Sequence, residues 1–333
     1  MTRHSFRSSL SLLVLMLVAS VLALSLGAAD IAGTWSAILH PFTSTDSQAH
    51  QIIWQIRAPR IATALLVGAA LGVAGALAQG STNNPLAEPA ILGTAAGAGL
   101  GVLVGVLCNL ASIGSIGAVL FATIGALLTT LLVFELSHRN GTTTALQLII
   151  VGIALSAVIS AIVGLTISMV ARPDARSVSF WSLGSLALVQ SEDLLHLAPV
   201  IVLAIIAAFV IAKPLDLLSL GDSTAQTLGA NPKRVRLVAF LVLSILVATS
   251  VSTVGTIAFL GLAAPHIARF IAGPGHRKLV IASAFIGAIV LLVADTFARS
   301  IAPPNELPIG LITSLIGAPV LIYLVRSRRQ VWL

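Results

Sequence analysis

The sequence predicts an all-α protein that crosses a membrane about ten times. Three observations predict it. Charged residues make up 9% of the 333 positions and apolar residues 57%, whereas a soluble domain carries roughly 25% charged residues. Unbroken apolar runs recur along the chain, each near the ~20 residues that cross a ~30 Å hydrocarbon layer at about 1.5 Å per residue. The 18 Lys and Arg fall mostly in the short segments between those runs, where they act as topology determinants. The net charge of +7 is for that reason a membrane signal and not a nucleic-acid one. A transmembrane barrel is excluded, because its strands alternate polar and apolar residues and runs such as LLTTLLVFEL do not.

The first run, 10–29, follows Arg3 and Arg7 and ends on Gly27, Ala28 and Ala29. It imitates a secretory signal but exceeds the usual apolar region of about 7–15 residues, so a retained helix is expected. The second and third runs, 61–80 and 91–109, flank QGSTNNPLAEPAILG at 79–93, where Pro85 and Pro89 interrupt the helices beside Asn83, Asn84, Leu86 and Glu88. Broken polar backbone at membrane depth is tolerated only where it is buried in protein or lines a cavity. In the third run Gly93, Gly97, Gly101 and Gly105 repeat every fourth residue, which puts them on one helical face for close approach of another helix. Cys108 ends that run and reads as a small buried hydrophobe. A single cysteine excludes an intrachain disulfide.

The fourth and fifth runs cover 115–135 and 146–170. After them RPDARSVSFWSLGSLALVQSEDLL is too polar to span, and a short helix at the outer interface is expected, with Trp181 as its anchor. The sixth run, 197–212, leads into a loop of about 213–234 containing GDSTAQTLGANPKR. That loop reads as a short helix between Gly221 and Gly229, with Asp222 and Ser223 as N-cap candidates. Its Ala225, Thr227 and Leu228 fit either ordinary loop packing or docking to a partner. The remaining runs are 235–254, 257–272, 279–298 and 308–325. His266 and Arg269 lie one turn apart in the eighth. Arg269 is close enough to the span's end to snorkel, so a structural role is read ahead of a proton relay. No internal repeat is visible.

Ten spans with a cytoplasmic N-terminus put 13 of the 18 cations inside and leave Arg57, Arg60, Arg172, Arg176 and Arg299 outside. The inverted orientation reverses that ratio, so both ends are expected in the cytoplasm. The seven histidines are scattered and neither HExxH nor CxxC occurs, which argues against catalysis or a metal centre. No GxxxxGK[ST] loop occurs either, so ATP-driven transport needs a separate ATPase. Few span centres carry an ionisable residue, as a stand-alone ion-coupled transporter would require. The three outer arginines Arg57, Arg60 and Arg299 oppose the charge bias and need another reason. The residues alone leave two, docking of an acidic partner or pairing with lipid headgroups, Asp295 or Glu306.

Seven ordered motifs resemble one family, the permease subunits of ATP-binding-cassette importers for iron-siderophores, haem and vitamin B12. They are RAPRIATALLVGAALGVAGALAQ, NPLAEPAILG, FWSLGSL, LGDSTAQTLGANPKRVRL, GTIAFLGLAAPHIARFIAGPGHR, ADTFAR and ELPIGLITSLIGAP. The resemblance implies one transmembrane permease domain over 1–333, with the type II importer fold of ten helices, in the bacterial inner membrane. It implies a second permease subunit, identical or paralogous, two cytoplasmic ATPase subunits that hold ATP and Mg, and an extracytoplasmic substrate-binding protein. No cofactor, metal or nucleic acid is implied on this chain itself, which is not expected to be an enzyme. Its cargo is read as a ferric siderophore, with haem and cobalamin as alternatives.

By the same resemblance Asn84 and Leu86 belong to a cytoplasmic gate. Gly221, Asp222, Ala225, Leu228 and Gly229 belong to the segment that couples to the ATPase, and Arg57, Arg60 and Arg299 meet acidic residues of the binding protein. Asn83 stands where many relatives have Arg, and Val320–Leu321 replaces a commoner aromatic pair. Thr142 to Leu146 is too unlike the family's other gate for residues to be carried over.

Overall fold

Backbone in hydrocarbon must satisfy its own polar groups, which leaves helices or closed barrels, and among the described residues all regular structure is helical. A computed structural model describes residues 3–27, 32–41, 47–90, 92–137, 145–169, 181–301 and 306–327. Its elements are α1 (Arg3–Ser25), α2 (Thr34–Leu39), α3 (Gln48–Gln51), a π turn (Ile52–Arg57), α4 (Ala58–Thr82), α5 (Thr94–Leu107), α6 (Ile116–Ser137) and α7 (Ala145–Met169). After them come α8 (Asp193–Leu218), α9 (Asp222–Thr227), α10 (Pro232–Val254), α11 (Leu260–Ala272), α12 (His276–Ser300) and α13 (Ile309–Ser327). Of the expected positive loops and ends, Arg139, Arg172, Arg176, Arg328 and Arg329 lie outside the described residues, as does Thr142 of the unassigned gate region.

Each of the ten expected apolar runs coincides with a helix. Among the described residues six stretches are long and apolar enough to cross a membrane, namely Gln48–Thr82, α6, Leu146–Met169, α8, α10 and α12, while α1, α5, α11 and α13 contribute shorter apolar stretches. The second run starts earlier than expected, because α3, the π turn and α4 are continuous. Pro59 carries no N–H, and the turn before it is wound one residue wider, with the Ala58 N–H bonded to the Ile53 carbonyl. The third and eighth runs are shorter than expected, with α5 of 14 residues and α11 of 13, each only about 20 Å long. Both start at a left-handed residue, α5 after Gly93 at φ 85° and α11 after Phe259 at φ 65°.

The bundle is built around α4, whose side chains from Val67 to Leu77 are largely excluded from the surface. It runs antiparallel to α12 with backbone against backbone. A methyl on Gly287 would collide with the Gly68 carbonyl, and one on Gly72 with that of Ser283. The glycine ladder of α5 packs as its spacing implies. A methyl on Gly101 would strike the Phe121 carbonyl of α6, and one on Gly97 would lie 2.6 Å from the Gly125 carbonyl. Hydroxyls tie these two helices to a third, with Thr130 of α6 bonded to Thr94 of α5 at 3.4 Å and to Ser244 of α10 at 2.8 Å.

Two local expectations are corrected. Trp181 is not an interfacial anchor. It is 4% exposed, and its carbonyl sits where a side chain on Gly255 would go, so the segment it opens folds back onto the bundle. Cys108 is exposed and not buried, because α5 ends at Leu107 and the chain turns through Asn109 at φ 54°.

Candidate functional site

The expected site residues gather at the two ends of the bundle. At one end, the first turn of α4 meets the last turns of α1 and α12. Arg60 makes three hydrogen bonds to Asp295, from Nε and Nη2, and two to Glu306, from Nη1, with the closest at 2.8 Å in each pair. Arg299, one turn beyond Asp295 on α12, approaches the same carboxylate at 3.6 Å and donates to the Ala23 carbonyl. Arg57 points elsewhere and donates to the Leu24 carbonyl at 2.7 Å and that of Ser25 at 3.3 Å. The C-terminus of α1 therefore receives two guanidinium groups, which satisfy its orphan carbonyls and oppose its dipole. Among the described residues Arg60 and Arg299 both face Asp295, and Arg60 faces Glu306 as well. Arg57, Arg60 and Arg299 are only 5%, 7% and 4% exposed, whereas the Glu306 side chain is 30% exposed. Arg57 and Arg60 thus diverge, and the pairing of Arg60 with Asp295 and Glu306 is present.

At the other end α4 stops at Asn83, which takes the left-handed conformation at φ 49°. Asparagine tolerates that geometry, which accounts locally for its place before NPLA. The Asn84 side chain accepts the Leu86 N–H at 3.0 Å, and its carbonyl accepts the Ala87 N–H at 3.0 Å. This Asx turn presents Leu86, half-buried, at the bend. The linker then climbs back into the bundle. A methyl on Gly261 would lie 2.9 Å from Pro89 and 3.4 Å from the Leu71 carbonyl, eleven residues up α4 from Thr82, or roughly 16 Å along its axis. Glu88 is buried there, and its carboxylate accepts the N–H of Phe259 at the start of α11. Polar broken backbone at this depth is thus covered by protein, as hydrocarbon requires.

Beside Asn83 lies the loop after α8. The non-helical part of the expected 213–234 loop is narrower, since α8 runs on to Leu218 and α10 starts at Pro232. Gly221 at φ 93° and Gly229 at φ 86° bracket α9 as expected. The N-cap is Gly221 itself, without a side-chain bond. Asp222 is committed elsewhere, to a bidentate pair with Arg236 of α10 at 2.8 and 2.7 Å. Ala225 is fully buried and holds α9 down, while Leu228 is 56% exposed. A cavity of about 600 Å³ opens between the end of α8 and the turn after α9, lined by Lys213, Asp216, Leu228, Gly229 and Arg234.

His266 and Arg269 of α11 turn to different neighbours in the contacts described. Arg269 donates to the Gln79 side chain on α4, and the His266 ring meets Phe270 edge-on at 5.2 Å. Four residues that sequence reasoning missed complete this end. Asp216 accepts both the backbone N–H of His276, at 2.8 Å, and bonds its Nδ1, at 2.7 Å. In the last turn of α4, the Gln79 side chain accepts Arg269 of α11, and the Ser81 carbonyl accepts Arg236 of α10. These partners lie 60 to 190 residues apart, and the only sequence signal is that each is a polar residue near a span end with a complementary one elsewhere.

A helical bundle with ionic clusters at both ends and a re-entrant polar linker fits a transmembrane permease, and its relatives give the class as that of ATP-binding-cassette importers. Its fold covers 96% of this chain and 98% of the solved structure "An inward-facing conformation of a putative metal-chelate type ABC transporter", at TM-score 0.83 and 31% identity. Residues 13–327 match the FecCD transport family, and the chain belongs to it. The iron(3+)-hydroxamate import system permease protein FhuB of Bacillus subtilis is 39% identical over 288 residues, 85% of this chain and 73% of that one. The vitamin B12 import system permease protein BtuC of Salmonella typhi is 36% identical over 297 residues, 88% of this chain and 86% of that one.

Proposed function

We propose that this permease moves a ferric siderophore across the bacterial inner membrane, with both chain ends in the cytoplasm. It works as one of two permease subunits, identical or paralogous, on which two ATPase subunits dock from the cytoplasm and a substrate-binding protein docks from outside. ATP and Mg belong to the ATPase, and this chain supplies the pathway. Asn84 and Leu86 form its inner gate. The segment of Gly221, Asp222, Ala225, Leu228 and Gly229 receives the ATPase. The observation that carries this reading is the adjacency of the two. A short helix held down by Ala225, with Leu228 exposed beside a cavity, lies against the end of α4 where the linker bearing Leu86 turns back. The names of relatives support a metal chelate as cargo.

The test is uptake into liposomes holding the permease, its ATPase and ATP inside, with the binding protein outside. Radiolabelled ferric hydroxamate should accumulate only when all three proteins and ATP are present. Accumulation driven by a proton or sodium gradient without the ATPase would instead make this a secondary transporter. Accumulation of cobalamin but not ferric hydroxamate would change the cargo.

The outer arginines are proposed to dock carboxylates of the binding protein, with Glu306, the more exposed partner of Arg60, as the group those carboxylates displace. Reversing all three arginines would place repelling carboxylates in a buried cluster, so Glu306→Gln is the cleaner probe. It removes a competing negative charge at the rim, where charge sets encounter rate more than affinity. Stopped-flow association of the binding protein should be faster for Glu306→Gln than for wild type at low salt, and the difference should vanish as salt screens it. An unchanged or slower rate would reject Glu306 as the displaced group.

A further inference from the structure

The guanidinium of Arg236 touches two elements at once. Its two terminal nitrogens hold Asp222, the first residue of α9, at 2.8 and 2.7 Å, and its Nε donates to the Ser81 carbonyl in the last turn of α4 at 3.0 Å. The Arg236 side chain is 17% exposed, so one face is closed off by protein. A second bond parallels it. The Asn83 amide donates to the Leu218 carbonyl at 2.9 Å, at the end of α8 where the loop carrying α9 begins. The last turn of α4 is thus fastened to both roots of α9, and Asn84 and Leu86 follow within five residues of Ser81. Between those roots α9 is loosely held. Gly221 and Gly229 have open space around them, and Ala225 is its buried contact.

We propose that Arg236 is a positioning residue that passes movement of α9 to the end of α4, and so to the turn that carries Leu86. A push on α9 shifts Asp222. A bidentate fork resists both stretching and rotation, so the guanidinium follows, and Ser81 is drawn with it. A lysine, as a point charge, would keep the attraction and lose the fixed angle. The inference rests on the coupling and gate roles proposed above, and it adds the physical link between them.

The experiment uses the full transporter in liposomes, with hydrolysis and uptake read on the Cys108→Ser background and labelling read separately after adding Leu86→Cys as a reporter. Two quantities are read, the ATP hydrolysed per chelate imported and the change in maleimide labelling of position 86 on adding ATP. Arg236→Met should still assemble with the ATPase, raise the ATP used per chelate about tenfold, within the usual range of coupling between two sites, and abolish the ATP-dependent change in labelling. Arg236→Lys should fall between. Asp222→Asn, which cuts the charged half of the link and leaves the Ser81 bond, should raise the ratio by a smaller factor and decides the matter if Arg236→Met does not assemble.

Wild-type ratio and labelling in an assembled Arg236→Met, or in Asp222→Asn where only that variant assembles, would overturn the proposal. Leu228→Asp separates it from the reading beneath. If Leu228→Asp uncouples hydrolysis from uptake while the Arg236 variants behave as wild type, only the link is wrong. If Leu228→Asp also transports normally, the docking role of the segment fails.

Discussion

Asp295→Ala should be among the most destabilising single substitutions in the chain. Asp295 has no exposed surface, accepts hydrogen bonds from Arg60 and is ion-paired with Arg299 at 3.6 Å. Removing one member of a buried ionic set typically costs about 3–5 kcal/mol, because the remaining charge is left desolvated and uncompensated. Here two guanidinium groups would lose their common carboxylate. Glu306 would retain Arg60 only, from a position that is partly open to water. The expected result in mild detergent is a much shorter half-life at a fixed temperature, with Asp295→Asn in between because it keeps an acceptor oxygen without the charge. Replacing the pair together, Asp295→Leu with Arg60→Met, should recover part of the loss, since well-packed apolar residues often match a buried ion pair. A half-life for Asp295→Ala equal to that of wild type would show that the cluster contributes nothing to stability.

That cluster also shows what sequence could and could not reveal. Arg299 lies four residues after Asp295 on one helix, so their pairing is readable from spacing, and the carboxylates stood as one of two explanations for the outer cations. What spacing cannot give is the geometry. Arg60 reaches Asp295 across 235 residues, and Arg57, though three positions from Arg60, turns to the α1 carbonyls because the π turn ends between them. The apolar runs and the α5 ladder were legible because hydrocarbon leaves helix as the backbone's solution and four-residue spacing defines a helical face. The half-length of α11 was not, since its apolar run continues through the non-helical residues before Phe259 and composition does not register a left-handed break. Asp222 was misassigned for a related reason. Its position fits a cap, and the competing partner, Arg236, is set by how α10 packs.

The ladder supports the sharpest paired expectation, because α5 carries a built-in control. Gly101→Leu should strongly destabilise the protein and Gly99→Leu should not, although the two lie two residues apart on one helix. At Gly101 even a methyl would strike the Phe121 carbonyl and come within 3.2 Å of the Ala122 backbone, and backbone cannot rotate aside as a side chain can. The helices must separate, which costs about 1–3 kcal/mol for modest overpacking and more where backbone has to move. Separation would also loosen Thr130, which joins α6 to Ser244 of α10. At Gly99 nothing lies within 4 Å, so leucine would meet only the surroundings of the bundle. Helix propensity there favours leucine over glycine by several tenths of a kcal/mol, and substitutions away from packed features usually stay within about 0.5 kcal/mol. The measurement is the yield of monodisperse permease and its thermal half-life in one detergent for wild type and both variants. Loss confined to Gly101→Leu supports the α5–α6 contact, whereas equal behaviour of the two variants would mean that the ladder does not face α6.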